Sequence, residues 1–193
     1  AHGAIDEAGG RLVSTPVTAA GWDMDHFVEV LSRLRPEMAY CIPDFQNPTG
    51  ASMPSAHRER LADAARRAGT ALLVDETTAE LDIDRRTDHF PFAAHAPVRS
   101  SVPVVTIGSL GKTVWSGLRV GWIRADEDIV DRIVRRRPAG DLGSPIIDQQ
   151  IAAEVLAGYD DLLAVRSAQL RIGRDTLTGL LRKHLPEWEI PDV

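Results

Sequence analysis

The sequence predicts an α/β fold: three layers, α/β/α, around a mostly parallel sheet, ending in a long helix. Three observations carry this. Uninterrupted apolar runs at residues 38–42 and 71–74, and a β-branched run beginning at Val104, have the length and composition of strands covered on both faces. Segments of helical periodicity precede the first run and separate it from the second, and strand–helix alternation is the mark of a parallel sheet. From residue 142 to 186 the chain is long and largely helical, with Gly143 and Pro145 at its start and Gly158 interrupting it.

In chain order, residues 11–17 form a short apolar run closed by Pro16 and followed by a Gly21-Trp22 turn, which predicts a strand and a loop. Asp23 is placed to cap the next segment, where Phe27, Val30, Leu31 and Leu34 recur at helical spacing until Pro36 stops it. Residues 38–42 predict a strand that runs into PDFQNPTG at 43–50, a segment with too many turn formers for regular structure. Pro54 suits a first helical position; Leu61, Ala64, Ala65 and Ala68 line one face before Gly69, a natural terminator. Residues 71–74 then predict a strand leading into Asp75 and Glu76. Residues 85–103, with Pro91, Pro97, Pro103 and two histidines, read as an irregular connection. Residues 119–125 alternate as a strand able to return antiparallel, and 127–137 form a basic helix. The division that follows is a sheet domain over 1–142 and a helical segment over 143–193 leading toward a second, smaller domain.

With 193 residues the chain is long enough for one full core. A net charge of −6 and a pI near 5.5 exclude a nucleic-acid-binding face, which needs basic residues on one side. Arg135, Arg136 and Arg137 therefore read as a solvated helix end. The single cysteine, Cys41, lies in an apolar run and reads as a small buried hydrophobe. No signal peptide and no membrane-length apolar run is present, and a reducing cytoplasm fits. His57, His89, His95 and His184 are scattered without metal-ligand spacing. The chain opens without methionine and closes on EWEIPDV, which reads as the start of another strand and hence as part of a longer polypeptide.

Of 22 lysines and arginines only Lys112 and Lys183 are lysines. Lys112 follows a strand within a turn of small residues, a place where lysine does what arginine cannot: lose a proton and form an imine. In parallel sheets chemistry collects at the carboxyl ends of strands. Asn47, Asp75 and Lys112 each follow the carboxyl end of a different predicted strand, so one sheet edge gathers all three. Each has a blander reading: a tight turn for NPTG, a helix cap or an arginine's partner for Asp75, a solvated loop lysine for Lys112. An Asn-Pro bond in the cis form would aim Asn47 inward. Arg119, among small and apolar neighbours in GLRVG, reads as a semi-buried guanidinium needing an anion.

PDFQNPTG, the LLVDET strand and GSLGKTVWSGLRVGW, in this order and at these separations, resemble the large domain of pyridoxal-phosphate enzymes of fold type I, the class I/II aminotransferases. The wording of DETTAELDID and of the lysine segment with Trp115 is most similar to the aminotransferase-like domain of MocR-type regulators in the GntR superfamily. The resemblance implies pyridoxal 5'-phosphate held as an aldimine on Lys112, with Asp75 on the pyridine nitrogen, Asn47 on the phenolic oxygen, and Ser109 and Arg119 on the phosphate. Burial and a nearby guanidinium would loosen the lysine's hold on its proton. Thr78 stands where many aminotransferases have a tyrosine, and Gly111 where a serine often precedes the lysine. Both thin the shell of hydroxyls around the cofactor, which weakens the case for a fast transaminase more than for cofactor binding. Also implied are a homodimer with Trp115 at the subunit interface, and an amino acid or other small amino compound as substrate or effector. In a regulator, DNA would be bound only through a domain outside this chain. Two functions follow: an effector-sensing domain of a MocR-type regulator, or the large domain of a working aminotransferase that moves an amino group between an amino acid and a 2-oxo acid. The family's glycine-containing phosphate loop, its stacking aromatic and its substrate-carboxylate arginine have no counterpart in the sequence.

Overall fold

The computed structural model describes residues 2–18, 20–84, 90–96, 102–141 and 143–190. A short helix α1 (His2–Glu7) precedes a two-residue antiparallel ribbon, β1 (Val17–Thr18) with β2 (Gly21–Trp22). The strand expected over 11–17 is thus confined to its last residue and Thr18, because only there does a partner strand supply hydrogen bonds. Helix α1 is too short to show a periodic face in sequence.

Helix α2 (Met24–Leu34) starts as expected: Asp23 accepts from the His26 backbone N–H at 2.9 Å, satisfying one of the orphan donors of the first turn. Strand β3 (Met38–Cys41) follows, then the 43–50 loop and α3 (Ser55–Ala68). Pro54 sits one residue earlier than expected, as the extended cap before α3, since its fixed φ serves either position. Gly69, at φ 75°, ends α3 and donates to the Ala65 and Arg66 carbonyls, a left-handed cap that suits glycine. Strand β4 (Ala71–Asp75) comes next, and after an irregular connection β5 (Val104–Ser109), a one-turn helix α4 (Leu110–Thr113) and β6 (Gly121–Arg124). In the connection, two 3-10 turns, Ala79–Leu81 and Phe92–His95, bracket residues that lie outside the description, His89 among them.

The sheet has the order β3-β4-β5-β6, with β3, β4 and β5 parallel and β6 antiparallel to β5. The expected return strand is therefore present. One face packs on α2 and α3: Phe27, Leu31, Leu61 and Ala65 meet Ala39, Cys41, Leu72 and Val74 in one core. Each fully buried leucine or phenylalanine there contributes about 1.5–3 kcal/mol. The other face, with Met38, Tyr40, Leu73 and Val105 in register, looks toward α5 (Glu127–Arg136) across an open cleft of about 960 Å³ lined by Ala71, Val105, Ile129 and Ile133. The three layers are those expected, but the second helical layer stands off the sheet, and burial along β3 and β4 alternates. A continuous apolar run says that both faces can be covered, not how closely.

The final helices are α6 (Ile146–Ala157) and α7 (Tyr159–His184), separated at Gly158 as the sequence indicates. Helix α7 reaches back to the connection after β4: Arg174 pairs with Asp84 at 2.5 Å and Arg171 donates to the Ile83 carbonyl at 2.5 Å. On α5, Arg135 faces Asp131 at 3.8 Å, and Arg137 just beyond it pairs with Asp141 at 2.9 Å, the solvated helix end expected of that basic run. Among the described residues no helix is long and apolar enough to cross a membrane.

Candidate functional site

Because β3, β4 and β5 run parallel, their carboxyl ends open on one edge, and Asn47, Asp75 and Lys112 all follow that edge. Asp75 is the last residue of β4 and pairs with Ile107. Strand pleat puts it on the same face as Leu73, whose partner on β3 is Tyr40. The Tyr40 hydroxyl donates to Asp75 Oδ2 at 2.7 Å, and the Thr77 backbone N–H donates to Oδ1 at 3.0 Å. Both oxygens of the carboxylate are therefore fixed. Partial burial, and after it the Asp75 acceptor, hold the Tyr40 phenol well above its ordinary range, so it remains a donor.

Glu76 turns the other way and accepts from the Phe92 backbone N–H at 2.6 Å, with Phe92 fully buried. Burial raises the Glu76 carboxyl above its ordinary range, and the Phe92 N–H offsets part of that. A raised folded value means that the folded state binds this proton more tightly. Stability from this group is full below the ordinary value of 4.5 and is lost as pH rises through the folded value. Glu76→Gln keeps the acceptor and removes the titration. Its urea midpoint should therefore gain on the parent's between pH 4 and pH 8; a constant gap would refute the assignment.

The 43–50 loop is built on a buried ion pair. Asp44 accepts from both terminal nitrogens of Arg58, at 3.2 and 2.5 Å, while Arg58 Nε donates to the Met53 carbonyl at 2.8 Å. Arg58 is fully buried and Asp44 nearly so. The Thr78 hydroxyl donates to the Asp44 carbonyl at 2.7 Å, which ties the segment after Asp75 to the same anchor. Gln46 accepts from the Thr49 N–H and hydroxyl and donates to the Asn47 carbonyl. The Asn47-Pro48 bond is cis and Asn47 is exposed at the loop tip. Cys41, beneath this loop, is buried, and burial pushes its thiol up to about 12, which suits packing and not nucleophilic chemistry.

On the third strand, Ser109 pairs with Gly121 and its hydroxyl accepts from the Gly111 N–H at 3.1 Å, turning the chain into α4. A Cβ placed on Gly111 would lie 3.3 Å from Ser109 Oγ and 3.8 Å from Arg119 Nη1. Serine and arginine thus converge on one small volume, which glycine keeps open. Gly121 is needed for a different reason: a Cβ there would sit 2.8 Å from the Gly108 carbonyl oxygen. Arg119 also donates to the Ser116 carbonyl at 3.4 Å. Lys112 and Arg119 are both exposed, so the burial expected around them is not supplied by the described residues. Trp115 is 63 % exposed. Leu110 and Leu118 are buried against Ala152, with Val114, Val120 and Tyr159 around them, and the Tyr159 hydroxyl donates to Thr113 Oγ1 at 3.0 Å.

The donor set fits pyridoxal 5'-phosphate: a hydroxyl and a guanidinium at one point for a phosphate, an oriented carboxylate for a pyridinium, an amide at a loop tip, and an amine. Sequence reasoning did not find Tyr40, Asp44, Arg58 or Tyr159. For Arg58 a signal exists, since Arg58, Leu61, Ala62 and Ala65 recur at i, i+3, i+4 and i+7, and a guanidinium on an apolar stripe demands a buried acid. Tyr40 and Tyr159 become visible only once strand register and helix packing are known.

The sequence profile of class I and II aminotransferases matches residues 4–192. The chain is 32 % identical over 187 residues to the 2-aminoadipate transaminase of Thermus thermophilus, covering 95 % of this chain and 45 % of that protein. It is 29 % identical over 192 residues to an uncharacterized HTH-type transcriptional regulator of Bacillus subtilis, covering 97 % of this chain and 39 % of that protein. Among solved structures, the Thermus thermophilus α-aminoadipate aminotransferase complexed with N-(5'-phosphopyridoxyl)-L-leucine superposes with a TM-score of 0.83 at 29 % identity, over 93 % of this chain and 46 % of that one. An archaeal alanine:glyoxylate aminotransferase gives a TM-score of 0.84 at 26 % identity, over 96 % and 47 %. The chain spans less than half the length of these relatives. The profile and the solved neighbours agree on the fold, and the family and the phosphopyridoxyl-bound neighbour support pyridoxal phosphate as the cofactor. The chain belongs to the class I and II aminotransferase family.

Proposed function

We propose that this chain is the cofactor-binding part of an effector-sensing domain in a MocR-type transcriptional regulator, with pyridoxal 5'-phosphate on Lys112. The observation that carries cofactor binding is the convergence of Ser109 and Arg119 across Gly111, beside the turn that bears the lysine. Ser109 and Arg119 hold the phosphate through a hydroxyl and a fork of donors. Asp75, fixed by Tyr40 and Thr77, accepts from the ring nitrogen and keeps it protonated. Asn47 donates from the loop tip to the phenolic oxygen, and Lys112 supplies the amine and exchanges it with an incoming amino compound. When bound, the cofactor draws electrons from the bonds at the carbon next to the amine nitrogen.

The sensing reading is supported by Thr78, whose hydroxyl proton is committed to the Asp44 carbonyl and is not offered to the cofactor, and by the similarity to HTH-type regulators. A sensor needs amine exchange without rapid proton transfer. The second reading, a transaminase, is favoured by the 32 % identity to a 2-aminoadipate transaminase. On either reading the active assembly is a homodimer in the cytoplasm, with residues 143–193 leading to a further domain. The holoprotein mixed with a panel of amino acids should show spectral exchange without conversion of the cofactor to its amine form. Stoichiometric conversion by one amino acid would reverse the choice in favour of the transaminase.

A further inference from the structure

Asp75 is held at both oxygens, and the two holds differ in kind. The Thr77 N–H on Oδ1 is local, an Asx-type turn that the chain makes within two residues. The Tyr40 hydroxyl on Oδ2 arrives from the neighbouring strand, 35 residues away in sequence, at 2.7 Å. Tyr40 lies on β3, an edge strand of the sheet, and its ring reaches over the Leu73 position to meet the end of β4. Among the described residues no cation pairs with Asp75, so these two donors define where its carboxylate points. An ionised carboxylate has about four lone-pair sites, so after accepting twice it can still accept from a third donor.

We propose that Tyr40 is a positioning residue for the cofactor: it fixes the plane of the Asp75 carboxylate that accepts the hydrogen bond from the protonated pyridine nitrogen. The inference rests on the reading of Asp75 as the ring-nitrogen partner. With the Thr77 N–H alone, the carboxylate can turn about its terminal torsion, a broad and soft one. With Tyr40 in place it is clamped at both ends before the ring arrives, so no ordering is needed on binding. Tyr40, 42 % exposed, lies on the open face of the sheet beside the half-buried Leu73, while Ala39, Cys41, Leu72 and Val74 are buried on the opposite face.

The test is a double-mutant cycle on pyridoxal 5'-phosphate affinity in the complete protein, using Tyr40→Phe, Asp75→Ala and the pair. Tyr40→Phe keeps the ring and removes the donor. Affinity should weaken roughly tenfold, the order expected for a hydrogen bond to a charged group. The absorption maximum of the bound cofactor should also move, because the ring nitrogen's partner has turned. On the Asp75→Ala background the same substitution should change neither. Wild-type affinity and spectrum in Tyr40→Phe, or equal weakening with and without Asp75, would overturn the proposal and leave Tyr40 as a strand-to-strand brace. A parent protein that takes up no cofactor would instead sink the underlying assignment of Asp75, and this inference with it.

Discussion

Replacing Lys112 with alanine should abolish covalent attachment of pyridoxal 5'-phosphate. In the parent, borohydride reduction of the loaded protein should fix one phosphopyridoxyl group on the peptide containing Lys112, read by mass spectrometry. In Lys112→Ala the label should fall to background, although on the proposed reading Ser109, Arg119 and Asp75 would still offer a noncovalent site. Lys112→Arg sharpens the result, because it keeps the charge and cannot form an imine. The sequence provides a built-in control in Lys183, the only other lysine, which lies in the last turn of α7. Label on Lys183, or label that persists in Lys112→Ala, would show that the turn after β5 is not the attachment point.

Arg58→Met should lower the unfolding free energy by about 3–5 kcal/mol, because it leaves the Asp44 carboxylate buried without its partner. Urea denaturation measures this directly. Replacing both members, Asp44→Leu with Arg58→Met, should cost much less than the two single losses added together, since an apolar pair needs no compensation. Additive losses would mean that the pair contributes nothing as a pair. The functional companion is weaker cofactor binding in Arg58→Met, because Asp44 also receives the Thr78 hydroxyl and so joins α3, the Asn47 loop and the segment after Asp75.

The sheet edge was legible because its chemistry is local in sequence. A strand followed by NPTG, a strand followed by Asp75, and a strand followed by Lys112 can each be read without knowing the others, and the parallel-sheet rule then places them together. The helices α2 and α3 were legible for a similar reason, since Asp23 and Gly69 announce their ends. Tyr40 was not, because a tyrosine in an apolar run looks like packing until register sets it beside Asp75. The exposure of Lys112 and Arg119 was misjudged for the opposite cause. Small, apolar neighbours predict burial, but in GLRVG it is Leu118 that turns inward while Arg119 stays at the surface.

The packing beneath the lysine turn bears on how that turn opens. Leu110 and Leu118 do not join the core formed by α2, α3 and the sheet; they form a separate cluster with Ala152 of α6, closed by Tyr159 at the head of α7. The turn that bears Lys112 is therefore packed on the last two helices as well as joined to the strand from which it emerges. Contacts at the α6–α7 junction should therefore help set how firmly the turn bearing Lys112 is held, together with the Ser109 cap that ties it to β5.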